Sequence, residues 1–337
     1  MTRDVLPATP DSAATVTRLP LNTFAISLGI AGVAETWTAA TPVAGIPPQV
    51  AQVFWALSAA SMVWLLAAHA TRGLRSGSPL REQLRHPIQG PLAAIVPIVG
   101  MLLGSDMVPW FPTAGRILVI ASMVAATGYA GWLVSTWTTG GIELAAIHGG
   151  YFLPTVAGGF VAASAAETIG LRGLGWAAFG IASLFWAVTT ALVLVRMLSR
   201  PPLPDALVPT LAVVMAPPAV GGLALFALTD QVSSPLSLAF AGLTAILVVA
   251  QLATLPRYRR LPFTLGFWSF TFPVAAVASY AIAWLEVGAV PFAGGIALAL
   301  ALAVTVLVAA IGARSLSLVL AARARGRVGA TGSPHGV

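Results

Sequence analysis

About ten long apolar stretches alternate along this chain with short connectors, and the connectors that carry arginine fall almost all on one side. A helix needs roughly 20 apolar residues to cross a bilayer, and soluble domains carry roughly 25% charged residues. Here 58% of the 337 residues are hydrophobic and 8% are charged. The expected fold is an all-α integral membrane protein. Its ten expected transmembrane helices are 20–40, 49–69, 89–107, 114–137, 147–167, 173–197, 207–229, 236–256, 262–285 and 290–314. Strands of a membrane β-barrel would appear as short alternating segments. These runs are continuous and rich in Ala, Leu and Val, so helices are expected.

All 17 basic residues are arginine, and the net charge is +7. In a soluble protein this balance suggests nucleic acid; here it has a topological address, and no nucleic-acid partner is expected. With the N-terminus placed inside, 15 arginines fall on the inner side: Arg3, Arg18, Arg72, Arg75, Arg81, Arg85, Arg196, Arg200, Arg257, Arg259, Arg260, Arg314, Arg323, Arg325 and Arg327. The outer side holds Arg116 and Arg172. This positive-inside bias places both termini in the cytoplasm of a cell-membrane protein, and it requires an even number of spans. Topology and contact with anionic membrane lipids account for the arginines. They also raise the anion concentration at the inner mouth of a pore. The chain has no cysteine, which removes disulfides, thiolate chemistry and Cys-based metal sites. Residues 1–19 lack the apolar core of a cleavable signal and read as a cytoplasmic tail. The Arg/Gly-rich end, 322–337, reads as a second tail, leaving 20–321 as the transmembrane domain.

Proline marks a hidden repeat. It falls inside alternate spans as Pro97, Pro154, Pro217 with Pro218, and Pro273, at spacings of 57, 63 and 56 residues. Each odd span also ends in a carboxylate: Glu35, Asp106, Glu167, Asp230 and Glu286. Pro154 to Glu167, Pro217 to Asp230 and Pro273 to Glu286 are each 13 residues. A period near 60 residues fits one helical hairpin per repeat, so the chain reads as five hairpins. Proline inside a membrane helix needs protein or water nearby to satisfy the freed carbonyl. The odd helices therefore suit an inner ring around a pore, and the even ones a lipid-facing shell. The five acids mark where water begins. As a ring they would repel anions at an outer vestibule, while Asp106 with Arg116 and Glu167 with Arg172 are expected pairs.

The motifs of the odd spans resemble a known family. Leu261-Pro262-Phe263 followed by Phe267-Trp268-Ser269-Phe270-Thr271-Phe272-Pro273 is similar to the ninth helix of the tellurite-resistance/dicarboxylate transporter family. That family includes TehA proteins and plant slow-type anion channels. Phe24, Gly29, Gly32 and Trp37 match in the first span, His86-Pro87 and Val96-Pro97-Ile98 around the third, and Tyr151-Phe152-Leu153-Pro154 to Ser164 in the fifth. Gly175 to Trp186 matches in the sixth and Met215-Ala216-Pro217-Pro218 in the seventh. The resemblance implies five hairpins in a ring, odd helices lining a central pore, and a homotrimer with one pore per protomer. It also implies a phenylalanine gate, at Phe272. The remaining pore-lining or kink positions are Phe24, Ala25, Gly29, Pro97, Gly100, Pro154, Gly158, Pro217, Pro218, Ser269 and Pro273. The family often shows Phe-Gly-Ile where this chain has Phe24-Ala25-Ile26, which puts an extra methyl near the gate.

No charged residue is expected within a span, and His69, His86 and His148 are expected at interfaces. Without a buried relay, the leading expectation is a gated anion channel or passive transporter for small inorganic anions such as chloride and nitrate, extending to C4-dicarboxylates. A proton-coupled carrier of malate-like dicarboxylates is the alternative. There is no HExxH, P-loop or cluster of metal-ligating residues, so neither an enzyme nor a metal or other cofactor is expected.

Overall fold

The computed structural model describes residues 18–77, 79–140 and 142–331. Most of the expected N-terminal tail, 1–17, and the last part of the C-terminal one, 332–337, lie outside the described residues. The described residues form helices and no strands. The α-helices are α1 (Ala25–Ala44), α2 (Gln49–Ser76), α3 (Leu80–Arg85), α4 (Ile95–Met107), α5 (Pro112–Thr138), α6 (Gly158–Thr168), α7 (Arg172–Ser199), α8 (Ala216–Leu228), α9 (Pro235–Tyr258), α10 (Thr271–Val287) and α11 (Ala293–Thr331). With their lead-in segments, 8 helices are long and apolar enough to cross a membrane. The first and fifth expected spans are also helical, but they fall short of that measure. Glu35, Trp37 and three threonines dilute α1. The fifth is divided, and its longest α-helical piece is 11 residues.

Two kinds of helix alternate. α2, α5, α7, α9 and α11 are continuous and carry exposed apolar faces, with Val63, Val124, Leu198, Leu252 and Val306 among the exposed side chains. The others begin with a differently wound lead-in. Leu21–Phe24, Gly90–Ala94, Val208–Met215 and Leu265–Phe270 are 3₁₀ segments running into α1, α4, α8 and α10. A 3₁₀ turn at Gly149–Tyr151 and a π-helical stretch at Leu153–Ala157 precede α6.

This pattern corrects the expected role of proline. Pro97 and Pro273 are the third residues of α4 and α10, and Pro217 and Pro218 are the second and third of α8. The prolines do not wedge open running helices. They occupy the first turn after a change of winding, where an N–H has no intrahelical partner to lose. In α1 the third position is Ser27, whose hydroxyl donates to the Ser58 carbonyl at 2.9 Å. Pro154 is the exception, lying within the π-helical stretch. Carbonyls of the lead-ins find donors on the continuous helices: Tyr129 donates to Gly90 O, and Gln251 to Leu211 O at 3.1 Å.

Packing follows the alternation. α1 packs on α4, α4 on α6, α6 on α8, α8 on α10, and α10 on α1. Small residues allow close approach. A methyl on Gly29 would lie 2.3 Å from Thr271 Oγ1, and one on Gly222 2.2 Å from Tyr280 Cζ. Polar contacts add roughly 0.6 kcal/mol each in such settings. Trp37 Nε1 donates to Thr305, Trp268 Nε1 to Ser315 and Tyr280 Oη to Ser237 O, at 2.8–2.9 Å. Helix α11 runs to Thr331, so its backbone continues into the stretch expected as a C-terminal tail.

Candidate functional site

Two cavities lie among the lead-in helices. One, of about 400 Å³, sits at the arginine-rich end and is walled by the lead-ins and the first residues of the helices they enter: Ala25, Leu92, His148, Thr210, Ser269 and others. The second, of about 260 Å³, lies further along and is walled by α1, α4, α6, α8 and α10. Among the described residues, Phe272 is the side chain common to both linings.

Local chemistry explains why this ring and not its aromatic neighbours stands between the cavities. Thr271 donates to Trp268 O at 2.7 Å and fixes the change from 3₁₀ to α winding. Phe270 is held edge-on by Tyr258, with ring centroids 4.8 Å apart, and Phe267 packs on Phe263 at 5.0 Å. Those rings are occupied by the wall. Phe272, second residue of α10, is turned inward and is 8% exposed. Gly32 of α1 lies against it: an added methyl would sit 3.4 Å from Phe272 Cδ2 and 2.8 Å from Ala275 Cβ.

The cavities differ in charge. At the arginine-rich end the wall holds neutral polar groups, among them Asn22, Gln89, His148, Thr210, Thr264 and Ser269. His148, in that wall, is 0% exposed. Its Nδ1 accepts from Gly150 N and its Nε2 lies 3.1 Å from Ile88 O, which assigns the proton of a neutral ring to Nε2. His69 is likewise buried, beside Phe24, with ring centroids 5.6 Å apart. Residues from the first turns of α1, α4, α8 and α10 (Ala25, Ile95, Ala216, Pro217, Phe272, Pro273) reach the same cavity. They bring the positive ends of helix dipoles with them.

The second cavity holds Glu35 beside Ser105, Ser164, Thr168 and Ser279. This corrects the expectation of no charge within a span and of an acid closing the first one. α1 continues to Ala44, so Glu35 stands nine residues before its end, about 13 Å at 1.5 Å per residue. The helix carries its polar residues past the expected boundary because Thr36, Thr38 and Thr41 donate back to the carbonyls of Gly32, Ala34 and Trp37, each at 2.9 Å.

The other four carboxylates do not join Glu35 in that lining. Asp106 accepts from Gln52 Nε2 at 2.9 Å instead of pairing with Arg116, which is exposed on α5. Its surroundings are a lateral cavity of about 900 Å³ among α2, α4 and α5. Glu167 does meet Arg172, at 2.8 Å, and the same guanidinium meets Asp230 at 2.7 Å. Glu286 is exposed at the end of α10.

Among the remaining positions singled out from sequence, Ala25, Pro217, Ser269 and Pro273 line the cavity at the arginine-rich end. Pro97 and Gly100 line the lateral cavity. Phe24, Gly29, Pro154, Gly158 and Pro218 are buried in helix contacts and line none of the three. Sequence reasoning missed Glu35 as a cavity residue and Gly32 as the close neighbour of Phe272. The spacing Gly32 to Glu35, three residues on one helix face, was the available signal. Among the described residues no three His, Asp or Glu gather to hold a metal ion.

Apolar helices in this number, enclosing cavities stacked along their length, define a multi-pass membrane protein of the channel or transporter class. A family model described as "Voltage-dependent anion channel" (SLAC1) matches residues 18–316. The chain therefore belongs to the SLAC1 family of anion channels and transporters, the family its motifs resemble. It is 24% identical over 266 residues to the tellurite resistance protein TehA homolog of Haemophilus influenzae, covering 79% of this chain and 81% of that one. It is 21% identical over 279 residues to the S-type anion channel SLAH2 of Arabidopsis thaliana, covering 80% of this chain but 53% of the plant protein, about half its length.

Proposed function

We propose that the protein is a gated conduit for small anions, with Phe272 as the gate and the two cavities as its vestibules. In this reading ten spans form five hairpins, the α1, α4, α6, α8 and α10 rods surround the path, and both termini are cytoplasmic in the cell membrane. The observation that carries it is that Phe272 lines both cavities. A ring in a narrow apolar neck dewets it and blocks ions until it swings aside. The anion preference is supported by the arginine-rich end, by the neutral polar wall, and by helix N-termini turned toward the first cavity. Chloride, nitrate and C4-dicarboxylates are the substrates of this reading, and a homotrimer its assembly. The test is a current recording with Phe272→Ala beside wild type. A larger anion current supports the gate; an equal current at equal surface expression overturns it.

One observation favours the alternative, a proton-coupled dicarboxylate (malate) carrier. Glu35 is a carboxylate within a span, lining the second cavity, and such residues mark proton relays. Proteoliposomes under a pH gradient at fixed voltage separate the readings. Uphill malate accumulation that disappears in Glu35→Gln establishes the carrier; malate flux that never exceeds its own electrochemical gradient establishes the passive path.

A further inference from the structure

Where α7 and α9 finish, at the arginine-rich end, three arginines line one pocket of about 330 Å³. Arg196 lies in the last turn of α7, Arg200 follows one turn later just past its end, and Arg257 is in the last turn of α9. Arg196 is 3% exposed. Its Nη1 donates to Pro201 O at 2.8 Å, while its Nε is buried without an acceptor. The ion pairs among the described residues all belong to Arg172, so none of these three arginines meets a carboxylate. Asp205, in the same connector, forms no ion pair either.

A single arginine at a helix C-terminus is accounted for by the dipole and the free carbonyls there. Three around one hollow are not. Their charges repel, and the buried Arg196 guanidinium has Pro201 O as an acceptor but no carboxylate to balance its charge. An anion in the pocket offsets the mutual repulsion and supplies the missing counter-charge. Guanidinium forks match phosphate oxygens in pairs, which a compact halide cannot exploit.

We propose that this pocket binds a phosphate group, supplied by an anionic phospholipid or by free phosphate. The surroundings fit the lipid source. Leu198 on α7 is 88% exposed and Leu252 on α9 is 63% exposed, so apolar helix faces flank the pocket where acyl chains would run. Leu211 in the pocket wall belongs to the Val208–Met215 lead-in, whose Thr210 lines the first cavity. Gln251 of α9 already holds the Leu211 carbonyl. A bound phosphate braces the end of α9, and through it the lead-in, so occupancy is expected to stiffen one wall of the conduit.

The test uses the purified, delipidated full chain in neutral detergent, with thermal unfolding as the readout. Added phosphatidylglycerol is expected to raise the melting temperature, and phosphatidylcholine is not. The double variant Arg200→Gln/Arg257→Gln, which leaves the buried Arg196 in place, is expected to lose the shift. Arg72→Gln/Arg75→Gln, which removes two charges from the same end of the molecule, is expected to keep it. Inorganic phosphate alone producing the full shift assigns the site to the free ion and keeps the proposal. An equal shift with phosphatidylcholine, an unchanged shift in the Arg200/Arg257 variant, or no shift with any phosphate source overturns it. Lipid counting by native mass spectrometry provides an independent reading: one phosphatidylglycerol per chain retained by wild type and lost by the double variant. Neither measurement depends on conduction, so failure here leaves the conduit reading untouched.

Discussion

On the arginine-rich side of Phe272 the cavity wall is uncharged, with neutral polar groups and helix N-termini set among apolar side chains; on the other side it holds the carboxylate of Glu35. The same rods build both, and the difference lies in which part of each rod is used. Lead-ins wound as 3₁₀ segments bring Asn22, Thr210 and Ser269 to the first cavity, and two of their carbonyls, Gly90 and Leu211, are satisfied from the outer helices. The α-helical parts pack closely at glycines such as Gly29 and Gly222, and they turn Glu35, Ser105, Ser164, Thr168 and Ser279 toward the second cavity. An anion in the proposed conduit is therefore welcomed into the first cavity and opposed twice beyond it, by the ring of Phe272 and by the charge of Glu35. In that reading, transport would be limited at the boundary between the cavities rather than at their mouths.

The largest effect is expected at that boundary. Phe272→Ala merges the two cavities, and anion current should rise about tenfold or more, a decade corresponding to ~1.4 kcal/mol of barrier. Current per channel at matched surface expression is the measurement, and a value equal to wild type breaks the comparison. Gly32→Val acts on the same ring from the opposite wall. The added carbons press on Ala275 and Phe272, and overpacking of this kind costs roughly 1–3 kcal/mol. A lower melting temperature and a current several-fold below wild type are expected, with relief of the current defect when Phe272→Ala is added.

Glu35→Gln tests the charge difference without altering volume. Removing a unit charge near a permeating anion changes its energy by about 1 kcal/mol in a watery setting, or about fivefold in current. The current at neutral pH should rise, and acidifying the Glu35 side should raise wild-type current while leaving Glu35→Gln unmoved. Among the described side chains, the charged and titratable groups on the helices packed against α1 include Asp106 on α4, Glu286 on α10, His69, Arg72 and Arg75 on α2, and Arg314 on α11. Asp106→Asn is the control for a carboxylate acting from the lateral cavity, and it should retain the pH response.

Helical spans and their alternation were legible because apolar runs and prolines at intervals near 60 residues are carried by sequence alone. The change of winding before each proline was not. The 3₁₀, π and α conformations place apolar residues at nearly the same intervals, and a proline in the first turn after a junction looks like a proline in mid-helix. Glu35 was misplaced because its helix continues through Glu35, Thr38 and Thr41 to Ala44, and back-bonded threonines read as a boundary. Attention to Ala25 as the residue shaping the gate followed the motif. Contact geometry adds Gly32 against the Phe272 ring, seven residues or two helical turns further on, while Ala25 lines the first cavity with it. The partners of Asp106 and Asp230 were out of reach for a simpler reason: Gln52 lies 54 residues from Asp106 and Arg172 lies 58 from Asp230.

That last pair gives the smallest expected effect. Arg172 binds Glu167 and Asp230 together, so three charged groups at the Glu35 side amount to one net negative charge. All three are at least partly solvent-exposed, with side-chain exposures of 46%, 21% and 70%, and exposed pairs contribute little to stability. Arg172→Gln should leave the melting temperature nearly unchanged. It does release two carboxylates toward the mouth beyond Glu35, and screening by salt within about 10 Å at 0.1 M limits their reach. Anion current should fall by less than about twofold at that ionic strength, and by more as salt is lowered. A salt-independent loss would mean that Arg172 holds the α6–α8 contact in place mechanically. The charge difference between the two cavities would then rest on Glu35 alone.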